Sequence, residues 1–294
     1  MKSYCLCLGM LLSVLCSGQT VNTFTYSVKG SDSLKLDVYM PKTITSEQKL
    51  PVIIWMHGGG FAGGSRHSKR IVELMNTATE KGYIGVSMSY RLLRKGARTG
   101  FGCQCSKQDK LYAFANAATE FLEATNFIIS NSEAFQIDIT KIIAGGSSAG
   151  AEAVLSAVYM KDYFIEDVSP YDHIKFAGLI SFAGAMVDEN YITVDNAVPT
   201  VLFHGTKDNL VPYERAAHHF CNDVDKGYLV LSGSGRVYKQ LELLNQSYYL
   251  YKIEGGTHEV ATTAYDELED FFMFLNKTVI NSKVIQTKRL ETQH

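Results

Sequence analysis

The stretch Lys141-Ile142-Ile143-Ala144-Gly145-Gly146-Ser147-Ser148-Ala149-Gly150 decides how the chain is read. An apolar run ends in glycines, a serine follows at the centre of G-x-S-x-G (Gly146 to Gly150), and a helix-forming segment continues to Lys161. Strand, tight turn and helix in that order hold a serine on a strained backbone with its Oγ exposed at a sheet edge. Small residues at 146 and 150 are needed because strand and helix close tightly around it. Ser148 also stands at a helix N-terminus, where the macrodipole favours developing negative charge. The competing reading, a glycine-rich turn with Ser148 as a helix cap, is weighed against the rest of the chain.

Short, nearly continuous apolar runs recur on both sides of this stretch, at Val52 to Met56, Ile84 to Met88, Ala177 to Phe182, Val201 to Phe203 and Tyr248 to Ile253. Runs of that kind are expected of strands buried on both faces. Between them lie segments with helical spacing: Ser68 to Lys81, Gln108 to Ser130, Ser148 to Lys161, Tyr213 to Cys221, Gly235 to Asn245 and Thr262 to Val279. In Gln108 to Ser130, Leu111, Phe114, Ala115, Ala118, Phe121, Leu122 and Thr125 form one stripe. Alternation of strand and helix requires crossovers and a mostly parallel sheet with helices on both faces. Before it, Phe24 to Val28 and Leu34 to Met40 alternate around Lys29-Gly30-Ser31-Asp32 as an antiparallel hairpin. Ligands of such α/β sheets sit at the carboxyl ends of the strands, so the residues just after each run are where chemistry is expected.

Val52 to Met56 runs into His57-Gly58-Gly59-Gly60-Phe61. Three glycines at a strand end let successive amides converge on one point, where a carbonyl oxygen becomes an oxyanion. The amides of Gly59 and Gly60, with that of Ala149 after the serine, are the expected donors. His57 reads as structural, and a phosphate cradle is disfavoured because the P-loop Lys-Ser/Thr pair is missing.

At this point the chain resembles the α/β-hydrolase fold esterases, in the branch holding the hormone-sensitive-lipase-like and carboxylesterase-like enzymes. The resemblance rests on His57 to Phe61, on Gly146 to Gly150 and on Ser89-Tyr90-Arg91-Leu92, and extends over nearly the whole mature chain. It implies a triad in the order serine, acid, histidine. The acid is then Asp208, in His204-Gly205-Thr206-Lys207-Asp208-Asn209-Leu210-Val211-Pro212, and the base is His258, in Glu254-Gly255-Gly256-Thr257-His258-Glu259. A serine hydroxyl is a poor nucleophile near neutral pH, so an imidazole must take its proton and a carboxylate must hold the imidazole tautomer. Asp188 is the alternative acid, weakened by lying several residues past its strand. His204 reads as a buried or loop-fixing imidazole, His218 and His219 as partner-facing or solvated on a helix, and His173 as a loop residue.

The chain has 294 residues, 28 Lys+Arg against 30 Asp+Glu, a net charge of −2 and 46% hydrophobic residues. That excludes disorder and coiled coil, and offers no bulk attraction to nucleic acid or an anionic membrane. Lys2, the apolar run Tyr4 to Cys16 and the small residues Ser17 and Gly18 are laid out as a secretory signal over residues 1–18, too short to span a bilayer. A single domain over 19–294 and a secreted or periplasmic location follow as expectations. Lipid anchoring at Cys16 ranks lower, because Leu15 stands where a lipobox wants a small residue. The mature chain keeps Cys103, Cys105 and Cys221, allowing one pair and one free thiol of unspecified pairing. No metal site is expected, since the Cys103 to Cys105 pair lacks companions.

The resulting expectation is a serine carboxylic ester hydrolase that needs no cofactor. Cap regions of the resembled family are short here, with only Met186 to Pro199 between two strands, so an open site is expected. Open clefts suit small acyl or aryl esters, such as acetyl or feruloyl groups on plant polysaccharide, better than long lipid chains. Leu93 to Lys110 is either a rim loop that touches substrate or a solvated charged loop. A serine peptidase of this fold, or a binding module built on it, are the alternatives. The first would carry a large propeller or cap, and the second would lack a triad member.

Overall fold

The computed structural model describes residues 20–45 and 47–293. The expected export signal at 1–18 and Cys16 lie outside the described residues. Strands β1 (Thr20–Lys29) and β2 (Asp32–Met40) form the antiparallel hairpin, and β2 pairs antiparallel with β4 (Ile84–Met88). From there β3 (Leu50–Met56), β5 (Ile137–Ser147), β6 (Gly178–Phe182), β8 (Thr200–Gly205), β11 (Tyr248–Glu254) and β12 (Gln286–Thr292) add in parallel. Among the described residues the sheet order is β1-β2-β4-β3-β5-β6-β8-β11-β12. A small antiparallel sheet of β7 (Ala185–Met186), β10 (Val230–Gly233) and β9 (Arg215–Ala217) sits beside it.

Both faces of the large sheet are covered, as continuous apolar strands require. On β3, Val52, Ile54 and Met56 join one core with Phe114, Phe121 and Leu122 of α2 (Lys107–Ser130) and Val154 of α3 (Ala149–Tyr159). The alternate residues Ile53 and Trp55 join a second core with Leu74 and Met75 of α1 (Lys69–Glu80) and Phe271 and Phe272. The one-residue alternation of a strand is what divides the two cores. Ser106 caps α2, its hydroxyl accepting from the Asp109 amide at 3.1 Å. The short α4 (Lys161–Phe164) follows α3, and α5 (Ser234–Leu243) packs Val237 and Leu241 into the first core.

Two expected helices are corrected. Tyr213 to Cys221 is not helical: Arg215 to Ala217 pair with β10, and a 3₁₀ turn at His218–Phe220 follows with His219 and Phe220 at φ 58° and 51°. Thr262 to Val279 is not one helix either. A 3₁₀ segment His258–Asp266, then α6 (Leu268–Leu275) and a π turn Asn276–Ile280 divide it. Between β6 and β8 the chain adds only β7 and a 3₁₀ turn at Glu189–Tyr191. No helix among the described residues is long and apolar enough to cross a membrane.

Candidate active site

Ser148 sits where β5 turns into α3, at φ 51° and ψ −125°. This left-handed backbone is costly for a residue with a Cβ. It is held by the Ser148 amide donating to the Phe182 carbonyl at 2.7 Å and by the Ser148 carbonyl accepting from the Glu152 amide at 2.9 Å. The turn works only with glycine at 150, where a Cβ would lie 2.2 Å from the Met56 carbonyl oxygen.

The Ser148 Oγ lies 2.8 Å from Nε2 of His258, and Nδ1 of His258 lies 2.7 Å from Oδ2 of Asp208. The carboxylate only accepts, so Nδ1 of His258 carries the proton, Nε2 is left as an acceptor, and the serine hydroxyl donates to it. Burial by itself would raise the Asp208 carboxyl. Hydrogen bonds from His204 and His258 instead hold it well below the usual carboxylate range. Its second oxygen, Oδ1, accepts from the Leu210 and Val211 amides, both at 2.9 Å. Three residues separated by up to 110 positions thus meet at the carboxyl ends of β5, β8 and β11.

His204 is buried and does more than fix a loop. Its Nε2 donates toward Oδ2 of Asp208 at 3.2 Å and the Val211 carbonyl at 3.1 Å, and its Nδ1 accepts from the Ser234 hydroxyl at 2.9 Å. Asp188 is elsewhere: its carboxylate caps the Glu189–Tyr191 turn through the Asn190 amide and approaches Arg215. His173 pairs with Asn126 at the surface.

After β3, Gly59 has φ 120° and a Cβ there would lie 2.3 Å from the Gly63 carbonyl oxygen. The Gly59 carbonyl accepts from the Ala62 and Gly63 amides, closing the loop back on itself. Gly60 and Phe61 also carry positive φ, and the strain at Phe61 is offset by its ring packing among Tyr90, Phe101 and Phe114. The Gly59 and Gly60 amides make no hydrogen bond among the described residues, and the Ala149 amide opens α3, where a helix has no internal acceptor for it. Tyr90 donates its hydroxyl to the His57 carbonyl at 2.9 Å, and His57 Nδ1 meets the Gly58 carbonyl at 2.7 Å. Burial, countered in part by that carbonyl, holds the His57 ring below its usual value, which suits a scaffold imidazole. Arg91 is tied to Glu120 and Asn116 of α2.

A pocket of about 580 Å³ opens beside Ser148. Its lining includes Ser68, Arg70, Thr262 and Tyr265 as well as Phe101, Glu152, His218 and His219. The reading of His218 and His219 as solvated helix residues is therefore corrected: the 3₁₀ turn that replaces the helix aims them at the pocket, and His218 is 1% exposed. Of the rim loop 93–110, Phe101 reaches the pocket, while Arg94 bonds within its own loop and Lys110 is buried with its ammonium on the Gly227 carbonyl. Cys103 pairs with Cys221 across 118 positions, and Cys105 is free and buried. Glu152 went unremarked in the sequence, although an acid four residues after the nucleophile, in an alanine-rich helix, is a signal of its own.

The layered sheet, the strained serine turn and the carboxyl-end loops are those of an α/β-hydrolase fold. The BD-FAE family matches residues 36–188, more than half of the chain, and the chain belongs to that family. It is 32% identical over 181 residues to Gut esterase 1 of Caenorhabditis briggsae, covering 60% of this chain and 29% of that protein. It is 27% identical over 169 residues to Secreted triacylglycerol lipase LIP1 of Gibberella zeae, covering 56% of this chain and 27% of that protein. The chain spans less than a third of the length of these curated relatives. Thermogutta terrifontis esterase 2 phosphorylated by paraoxon superposes with a TM-score of 0.63 at 19% identity, over 87% of this chain and 94% of that one, a likeness of fold.

Proposed function

We propose that the chain is a serine carboxylic ester hydrolase acting through an acyl-enzyme on Ser148. The observation that carries this reading is the continuous hydrogen-bonded line from Ser148 Oγ through His258 to Asp208. His258 Nε2 takes the hydroxyl proton as Ser148 attacks the ester carbonyl, and the Asp208 carboxylate steadies the imidazolium that forms. The tetrahedral oxyanion is stabilised by the amides of Gly59, Gly60 and Ala149. His258 then returns the proton to the leaving alcohol, and a water deacylates the serine by the same relay. No step requires a cofactor.

Substrates on this reading are small, uncharged esters with short acyl or aryl groups, including acetyl and feruloyl esters of plant polysaccharide. The short chain between β6 and β8 supports it, because β7 and one 3₁₀ turn supply little apolar cover for a long lipid chain. The chain works as one unit over 19–294 after an export signal at 1–18. The esterase and lipase names among its relatives support the reaction class. Ser148→Ala is expected to lower kcat on p-nitrophenyl acetate by roughly 10⁶ and to abolish labelling by a fluorophosphonate probe. Near wild-type hydrolysis by that variant, or labelling at another residue, would refute the assignment.

A further inference from the structure

The wall of the pocket formed by Glu152, His218 and His219 has no part in the relay, yet it is built from polar side chains where apolar ones would pack at less cost. The side chains of Glu152 and His218 are 2% and 1% exposed, and Nε2 of His218 lies 3.2 Å from Oε1 of Glu152. Even so, neither Oε1 of Glu152 nor Nδ1 of His218 has a hydrogen-bond partner among the described residues. Buried polar atoms left over in this way are uncommon, and two of them here belong to residues that line one pocket. Glu152 lies one helical turn beyond Ser148 and, like His218, lines the same pocket as the serine.

His219 adds a second kind of group. Burial, reinforced by His218 and Lys110, pushes its ring down to about 3, so it is neutral at working pH with one donor and one acceptor nitrogen. Phe101 stands edge-on to both imidazoles, at 5.3 Å from His218 and 6.4 Å from His219, and supplies the apolar face beside them. The wall is pinned from behind. The Cys103–Cys221 disulfide joins the segment that carries Phe101 to the one that carries His218 and His219, the Gly227 amide donates to the Cys103 carbonyl at 3.0 Å, and the Lys110 ammonium donates to the Gly227 carbonyl at 2.8 Å. Groups held this firmly are suited to discriminating between substrates.

Resting on the ester-hydrolase reading, we propose that Glu152, His218 and His219 are specificity-determining residues that recognise an uncharged, hydroxyl-bearing arm of the ester. A hydroxyl both donates and accepts, which matches a carboxylate oxygen and a neutral imidazole together. A plain alkyl arm leaves Oε1 of Glu152 and Nδ1 of His218 unpaired, and a carboxylate-bearing arm faces the Glu152 charge. The hydroxyl could be carried on the acyl or on the alcohol side, and matched substrates tell these apart.

The test compares kcat/KM, by pH-stat titration of the released acid, for ethyl 3-hydroxybutyrate against ethyl butyrate and for 3-hydroxybutyl acetate against butyl acetate. One hydroxylated ester of the two pairs is expected to be favoured by about tenfold or more, and the pair that shows it names the side. Glu152→Leu, which removes the acceptor, and His219→Phe are each expected to bring that ratio to within about twofold of one. Each variant must match the wild-type circular dichroism, and His219→Phe carries the test if Glu152→Leu does not fold. Wild-type ratios near one, with the unsubstituted esters hydrolysed and Ser148 labelled by a fluorophosphonate, overturn this proposal alone. Ratios unchanged in a folded variant do the same. Failure to hydrolyse any of the four esters, with Ser148 unlabelled, overturns the ester-hydrolase reading and this one with it.

Discussion

Asp208→Asn is the sharpest probe of the relay because the surrounding hydrogen bonds dictate which way the new amide points. Oδ1 of Asp208 accepts from two backbone amides, those of Leu210 and Val211, at 2.9 Å each. If the asparagine NH₂ took that position, two backbone donors would lose their acceptor, at a cost of about 1–3 kcal/mol each. The carbonyl oxygen therefore stays with the amides and the NH₂ replaces Oδ2, facing Nδ1 of His258 and Nε2 of His204. A donor opposite Nδ1 forces His258 into the other tautomer, with its proton on Nε2 and directed at Ser148. The ring then cannot accept the serine proton, while the site keeps its shape. The expected loss is about 10⁴ in kcat on p-nitrophenyl acetate with KM changed by less than about fivefold, in a protein whose circular dichroism matches the wild type. Retention of a tenth or more of the wild-type kcat would show that the carboxylate does not set the tautomer, and the argument from donors and acceptors would fail.

Three other perturbations have definite expected outcomes. Removing the Cys103–Cys221 bridge by paired alanine substitution opens a loop of 118 residues, for which chain entropy gives about 5 kcal/mol at 25 °C as an upper figure. A fall in Tm of roughly 5 °C or more is expected in a Cys105→Ala background, and an unchanged Tm contradicts it. Gly150→Ala puts a methyl 2.2 Å from the Met56 carbonyl oxygen, backbone against backbone, and should destabilise the fold by about 3 kcal/mol in urea titration; a neutral result would mean that the turn has room to open. Acid should weaken the fold through His219. The unfolded imidazole takes up a proton near pH 6.5 while the folded one resists until about 3, so the unfolded state binds more protons across that window and stability falls as pH falls through it. Asp208, with its native carboxyl depressed, acts in the same direction at lower pH. Denaturant midpoints at pH 7.5 and 4.5 should show the drop, and His219→Phe should reduce it. An equal drop in that variant would remove His219 as its source.

Most of the architecture could be read from local pattern, whereas the places expected for Asp208 and His258 came from the family resemblance. The apolar runs at 52–56, 84–88, 201–203 and 248–253 announce strands buried on both faces, because only a strand covered twice needs no polar alternation. The glycines at 58–60 and 146–150 mark places where backbone must approach backbone, and chemistry follows the strand ends. The misreadings share a cause. Tyr213 to Cys221 has helical spacing, yet pairing with β10 and the bridge to Cys103 lie far off in sequence and outweigh a weak local preference. The same holds for Thr262 to Val279, where His258 must be presented by the start of a 3₁₀ segment.

The residue order by itself determined the layered sheet and the glycine-flanked serine turn, because each of these depends on spacing within a few residues of one strand end, and the expected places of Asp208 and His258 needed the family resemblance as well. Only the tertiary structure decided what lines the pocket beside the serine. Glu152, His218, His219 and Phe101 come from three separate segments, and His204 becomes a second donor to Asp208 only once β8 and its loop are folded. Whether an imidazole is solvated, clamped or left with an unspent nitrogen depends on neighbours brought together by packing, and no local periodicity encodes that.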